Sequence, residues 1–335
     1  MSRAPSASAP AVPLPPPKPT TLSLGKSSGD AVDQALLAGD SAFERSDLAA
    51  AFRHYDDARK QAPKRAAPLV GLARVRIAKV DVAMDFGAAK GNAEVTAAAR
   101  DLRRAAQMEP QLGVAEVELG RALLLLGDAA GAIDALRKGV ELLPQEAEAR
   151  SALGVALLAT GHGDEALAEL QRAAELDPGS APRHGNLGTV LFMRGRVADA
   201  VKEYEIEVGL VDGDARAHSD LGTALLAKNE IPRAVRELER AIALDPARAT
   251  FRSNLGYALQ IEGKVVEAIV AYRESIRLDP KLASAWINLA TALARDPRTR
   301  KEARAALEKA RALDPTDPRV KANLDELDAL EKSAP

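Results

Sequence analysis

Two sets of polar side chains recur through the second half of the chain at an interval of 34 residues. Asn186, Asp220, Asn254 and Asn288 form the first; Thr189, Thr223, Tyr257 and Thr291, each three residues further on, form the second. An asparagine tip presents a donor and an acceptor side by side. That pairing suits the N–H and C=O of an extended peptide backbone, whatever side chains the peptide carries. Asp220 departs from the series: a carboxylate only accepts, so its position is suited to a backbone N–H or a basic side chain. In the preceding part of the chain the equivalent positions are Glu118 and Ala152, with Val117, Leu124, Leu125 and Val155 nearby. A separate, more apolar contact is expected there.

Other reactive side chains form no constellation. His184 and His218 share one phase of the 34-residue interval, but no further histidine or cysteine joins them, and a metal site needs more ligands within reach. The remaining histidines, His54 and His162, stand alone. Glu165, Glu169 and Glu175 follow a solvent-facing stripe, and nothing marks a pocket that would tune a general acid and base. Gly161-His162-Gly163 is not followed by the Lys-Ser/Thr of a phosphate loop, and no serine lies in a nucleophile elbow. The basic run from Arg295 through Arg298 and Arg300 to Lys301 reads as a solvated turn. No catalytic residue, metal site or cofactor is expected.

The elements that position the recurring residues are helical hairpins. In 249–282, Leu255, Tyr257, Ala258 and Ile261 mark an amphipathic helix, which Gly263 stops. Val265, Ala268, Ile269, Tyr272, Ile276 and Leu278 form a second stripe, ended before Pro280. The hairpin recurs. Pro110, Pro144, Pro178, Asp212, Pro246 and Pro280 are spaced by 34 residues, and Pro315 follows after 35. Ten residues past each mark stands a small residue (Gly120, Gly154, Gly188, Gly222, Gly256, Ala290), always preceded by leucine. Gly127, Gly161, Gly195, Asn229 and Gly263 hold the turn, Asn being the usual substitute where the backbone must be left-handed. Ala132, Ala166, Ala200, Ala234 and Ala268 hold the small position of the second helix. The leucine and small residue at phases 7 and 8 point into the hairpin, so the asparagines at phase 6 and the residues at phase 9 point elsewhere on the first helix.

This pattern resembles the tetratricopeptide repeat, a 34-residue helical hairpin. Trp286-x-x-Leu289-Ala290 and Asn254-Leu255-Gly256-x-x-Leu259 are its closest local matches, and the resemblance covers 32–317. It implies an all-α, right-handed superhelical solenoid of antiparallel helix pairs, whose concave face binds a peptide or protein segment. It also places phases 6 and 9 on that face, as in the related asparagine ladder of protein O-GlcNAc transferase repeats. The implied function is a non-enzymatic scaffold; the alternatives are a substrate-recruiting accessory to an enzyme such as a glycosyltransferase, or a structural subunit of an envelope assembly.

Within this reading, residues 1–31 form a Pro/Ala/Ser-rich disordered tail, with Pro13 to Pro19 favouring a polyproline II spacer. Eight repeats fill 32–317. The second is 13 residues too long, its surplus lying near 83–92, and Met84 and Phe86 are expected to tuck onto neighbouring helices. Loop length changes closure cost slowly, so deleting 83–92 is expected to leave the fold intact. A capping helix follows in 318–335, apolar through Val320, Leu324, Leu327 and Leu330. The composition agrees with a solenoid packed by small aliphatic residues: 47% hydrophobic but only 3% aromatic. A net charge of −2 argues against nucleic acid as partner, and the absence of cysteine excludes disulfides and thiolate chemistry. No apolar run approaches a membrane span, so no direct membrane insertion is expected. The expected partner is a protein or extended peptide, within a multiprotein complex in the assembly reading. The expected compartment is the cytoplasm, or an exported or periplasmic site if a signal or lipid anchor has been removed.

Overall fold

The computed structural model describes residues 21–26, 29–80, 82 and 86–332, and all regular structure among them is helical. The chain divides into two compact units, 1–190 and 191–335. Unit 1 contains α1 (Ala31–Glu44), α2 (Leu48–Gln61), α3 (Ala67–Ala78), α4 (Ala93–Met108), α5 (Gly113–Leu126), α6 (Ala129–Leu142), α7 (Ala147–Ala159) and α8 (Gly163–Leu176), and ends within α9 (Ala181–Met193). Unit 2 contains α10 (Val197–Leu210), α11 (Ala215–Ala227), α12 (Ile231–Leu244), α13 (Ala249–Glu262), α14 (Val265–Leu278), α15 (Ala283–Leu293), α16 (Arg300–Leu313) and α17 (Pro318–Lys332). In each unit, helices paired in sequence pack side by side, and each pair packs on the next. First helices of successive pairs also touch: α1 on α3, α3 on α5 and α5 on α7 in unit 1; α11 on α13, α13 on α15 and α15 on α17 in unit 2. The architecture is an all-α solenoid of antiparallel helix pairs.

The turn inside each pair requires a left-handed residue, and the sequence supplies one at every regular turn. Gly127, Gly161, Gly195 and Gly263 have φ between 74° and 90°, Asn229 has φ 64° and Ser46 φ 60°. Inside the hairpin, the small residue at phase 8 is fixed by the side chain at phase 24. Tyr55, Leu136, Leu170, Leu238 and Tyr272 all hold phase 24, and all are fully buried. A methyl group added to Gly120 would lie 2.4 Å from Leu136 Cγ, and one on Gly256 2.7 Å from Tyr272 Cε1. Alanine gains roughly 1 kcal/mol over glycine in a helix interior, but this methyl meets a buried ring that has nowhere to move. Gly256→Ala is therefore expected to lower stability by about 1–2 kcal/mol net, since overpacking costs more than propensity returns; urea denaturation checks it.

A second recurring contact explains the shared phase of the histidines. Phase 4 carries Arg150, His184, His218, Arg252 and Trp286, and each side chain bonds the carbonyl six residues earlier, at Pro144, Pro178, Asp212, Pro246 and Pro280. The requirement is for a ring or guanidinium nitrogen that reaches back over the loop, which histidine meets as well as arginine or tryptophan. His218 adds a bond between Nδ1 and Glu237 Oε2 at 2.8 Å. No group of residues among those described is arranged to hold a metal ion.

Two segments differ from expectation, and a third matches it. Residues 21–26 lie on the first hairpin, with Leu22 and Leu24 buried, where a tail free through residue 31 was expected; residues 1–20, with the proline run, lie outside the described residues. The insertion in repeat 2 is tied down by backbone bonds and by small and aliphatic side chains, Ala89 and Val82. Gly87 N–H and Ala89 N–H donate to the carbonyls of Leu124 and Leu125 at 2.9 and 2.8 Å, and Ala89 packs with Val95 and Leu125. Phe86 is 44% exposed, and Met84 lies outside the described residues. Deleting 83–92 would thus strip two carbonyl partners from the end of α5, and is no longer expected to be free of cost. The basic run near residue 298 is the solvated turn expected, with Arg295, Arg298 and Lys301 exposed; Arg298 pairs with Asp296 at 2.8 Å, and Arg300 Nη1 donates to the Leu330 carbonyl at 2.8 Å. That second bond helps seat α17, which buries Val320 and Leu327.

Candidate functional site

Unit 2 carries a cavity of about 510 Å³ along the first helices of successive pairs. Asn254 and Tyr257 reach it from α13, Asn288 and Thr291 from α15, and Arg319 and Asn323 from α17. Each asparagine is half-buried and held from behind. Asn254 Nδ2 donates to Ser219 Oγ at 3.4 Å and to Thr223 Oγ1 at 3.5 Å; Asn288 Nδ2 donates to Ser253 Oγ at 3.3 Å; Asn323 Nδ2 donates to Thr291 Oγ1 at 3.4 Å. At Asn254 and Asn323 the amide orientation follows from the threonines. Thr223 and Thr291 spend their own protons on the carbonyls of Ser219 and Ile287, at 2.9 and 3.0 Å, so toward asparagine they can only accept. The carbonyl Oδ1 of each of these three asparagines accepts no bond from the described residues. Three acceptors of one kind therefore line the cavity.

The phase-9 threonines do not act as donors toward the cavity. Thr189, like Thr223 and Thr291, donates to the carbonyl four residues back in its own helix, Gly185 in its case, at 2.9 Å; this is the usual alternative partner for a helical hydroxyl. Tyr257 is different: it is 49% exposed and offers an aromatic face with a polar tip. Beside it, Tyr272 Oη donates to Gln260 Oε1 at 2.9 Å, and Gln260 also lines the cavity. Burial, with Tyr257 nearby as a smaller cause, pushes the Tyr272 hydroxyl well above its ordinary range, so it stays a donor.

The remaining ladder members lie elsewhere. Asn186 and Thr189 belong to unit 1, where Asn186 Nδ2 donates to Ser151 Oγ at 3.4 Å. Asp220 stands on α11, outside this cavity, 4.0 Å from Arg216. Burial pushes its carboxyl above the ordinary value, against the pull of Arg216 and with help from Asp214. Two sets of residues escaped the sequence reading. Asn323 follows Asn288 by 35 residues, a spacing visible in the sequence but hidden by the capping pattern of its segment. Ser151, Ser219 and Ser253, at phase 5 and buried, anchor the asparagines of the next pair.

Models of the tetratricopeptide repeat match residues 123–189, 219–283 and 263–318. The chain is a tetratricopeptide-repeat protein. Among solved structures, the Cut9–Hcn1 hetero-tetramer of the APC/C contains a chain that superposes with a TM-score of 0.66 at 17% identity, over 89% of this chain and 56% of that one. This chain thus spans little more than half the length of that relative. PilF of Pseudomonas aeruginosa gives 0.54 at 21% identity, over 64% of this chain and 97% of that one. The C-terminal part of a repeat protein from Cytophaga hutchinsonii gives 0.52 at 16%, over 69% and 94%. At these identities the likeness concerns the fold. No curated protein sequence matches the chain. Tetratricopeptide repeats are in general scaffolds, not enzymes, and no helix among the described residues is long and apolar enough to cross a membrane.

Proposed function

We propose that this tetratricopeptide-repeat protein is a non-enzymatic scaffold whose unit 2 groove holds an extended peptide segment of a partner protein, chiefly by its backbone. The observation that carries the reading is the row of asparagine carbonyls at Asn254, Asn288 and Asn323, each fixed by a bond from its own amide to the helix behind. Such acceptors take backbone N–H groups without reading sequence; Tyr257 adds an apolar contact for one side chain. Arg319 is held by Asp317 at 2.6 Å, so the nearest cation is already paired, which favours a backbone over an acidic side chain as the recognised group.

Selection of a displayed random-peptide library on the whole chain, followed by affinity measurement of the peptides recovered, tests this reading. Each hydrogen bond contributes about 0.5–1.5 kcal/mol, so the triple change Asn254→Ala, Asn288→Ala and Asn323→Ala is expected to weaken binding by roughly ten- to a thousand-fold. Its helix content should stay at the wild-type level. Unchanged affinity in the triple variant would place recognition on another surface.

A further inference from the structure

In unit 1, charged side chains stand at phase 6 or phase 9 of the first three repeats, and a segment of the chain itself lies across them. Asp40 and Arg74 hold phase 9 of the first two repeats, and Glu118 holds phase 6 of the third. Residues 22–25 cross these side chains in an extended run: Leu22 buried, Ser23 exposed, Leu24 buried. That is the period of two of a strand. The main contacts are to backbone, while the Ser23 hydroxyl donates to Asp40 Oδ2 at 3.3 Å. Arg74 Nη2 donates to the Leu22 carbonyl at 2.8 Å, and Leu24 N–H donates to Asp40 Oδ2 at 2.7 Å. At Gly25 the backbone comes so close to α1 that an added methyl would lie 2.6 Å from Leu37 Cγ and 2.7 Å from the Asp33 carbonyl.

The charged groups are assembled without help from this segment. Arg74 Nε bonds Glu118 Oε1 at 2.9 Å, Arg74 Nη1 lies 3.4 Å from Asp40 Oδ1, and Tyr55 Oη donates to Asp40 Oδ1 at 2.8 Å. Residues 22–25 use only what the cluster has left over: one guanidinium nitrogen and one carboxylate oxygen. Nor do they fill the site. A cavity of about 270 Å³ continues past Thr21 between Phe43, Ile77 and Leu125, so the site is longer than the segment that occupies it.

We propose that Asp40, Arg74 and Glu118 form a second peptide-recognition site, specific for an extended Leu-x-Leu-Gly segment of a partner protein, and that residues 22–25 occupy it in cis as an exchangeable stand-in. The charges read one N–H and one C=O of the ligand, the two leucines supply burial, and the close approach at Gly25 selects glycine. A ligand longer than four residues gains the unfilled cavity, which the tethered segment leaves open. The site lies in the other unit and on other residues than the groove of unit 2, so either can fail alone.

The probe is a labelled peptide reproducing residues 20–26, titrated against the full chain. Leu22→Ser combined with Leu24→Ser weakens the tethered competitor, which acts at an effective concentration on the order of millimolar. This variant is expected to bind the probe about tenfold or more tighter than wild type, and a probe with valine in place of its glycine is expected not to bind. In the wild-type chain, excess probe is expected to speed hydrogen exchange at the Leu24 amide while exchange in α13 and α15 stays unchanged. A variant that loses its helix content shows the segment to be structural and overturns the proposal. So does a folded variant that ignores the probe, or Leu24 protection that excess probe leaves unaltered. Dimers linked by exchanged N-terminal segments, seen by light scattering, would overturn the assignment to a foreign partner.

Discussion

Arg74→Met is expected to destabilise unit 1 by about 3–5 kcal/mol, because breaking one side of a buried ion pair leaves the other charge without compensation. The side chains of Arg74, Asp40 and Glu118 are 2%, 9% and 9% exposed, so water cannot take over the lost contact. Burial is the largest single influence on both Arg74 and Glu118, and it opposes their charges. Their mutual attraction, with Asp40 and Tyr55 acting on Arg74 and Arg121 acting on Glu118, outweighs it. The guanidinium is held above its ordinary value and the Glu118 carboxyl below its own. A carboxyl depressed on folding contributes stability that is present above its unfolded value, about 4.3, and is lost as pH falls through the lower, folded value. In the methionine variant Glu118 keeps its burial and loses its main partner; Arg121, 3.3 Å away, compensates only in part. The deficit should thus be greatest near neutral pH and smallest at a pH below the lowered folded value of wild type, where both forms carry a neutral carboxyl. Urea unfolding of wild type and Arg74→Met at both pH values measures it. A deficit independent of pH would mean that lost packing, not charge, carries the effect.

What could be read in the sequence and what could not follow one division. The repeat phase was legible because solenoid packing imposes the same local demand in every pair. A left-handed turn wants Gly or Asn, and the observed φ at Asn229 is that demand met. The tight approach at phase 8 wants a small residue, and the tail of a helix wants a following proline. The asparagine row was legible for the same reason, although each amide gives at least one N–H to a serine or threonine of the preceding pair, while its carbonyl accepts no bond from the described residues. The contacts at residues 22–25 were not legible. Two leucines separated by a serine make too short an alternation to stand out in a Pro/Ala/Ser-rich stretch. Their partners are scattered: Asp40, Arg74 and Glu118 are 34 and 44 residues apart. Charges so spaced in a sequence look like three solvated surface residues until the fold brings them together. The way the insertion is seated was not legible for another reason. Much of its hold on α5 is through the amides of Gly87 and Ala89, and backbone bonds of that kind leave no mark in residue type.

Tyr272→Ala is expected to cost about 3–5 kcal/mol in unit 2, the range for removing a fully buried aromatic side chain, while Tyr272→Leu should cost less than about 1.5 kcal/mol. The ring is fully buried and lies against Gly256, where there is no side chain to relax into the space vacated. Its other neighbours, Leu289 and Leu293 of α15 among them, belong to the packed cluster that joins the last two pairs to α17. The cavity left by alanine would therefore persist, which favours the upper end of the range. Leucine fills phase 24 in other pairs, at Leu136, Leu170 and Leu238, against the same glycine, so the hairpin accommodates it without a change of backbone. The two substitutions part again at the groove. Both remove the hydroxyl that holds Gln260 Oε1, and Gln260 is one wall of the cavity carrying the asparagine row. Tyr272→Leu should accordingly leave urea denaturation near wild type yet alter the affinity of peptides selected on unit 2. Tyr272→Phe, which keeps the ring and drops only the hydroxyl, should alter it to the same degree. If leucine changes affinity and phenylalanine does not, the ring itself supports the groove, and the hydrogen bond to Gln260 is incidental.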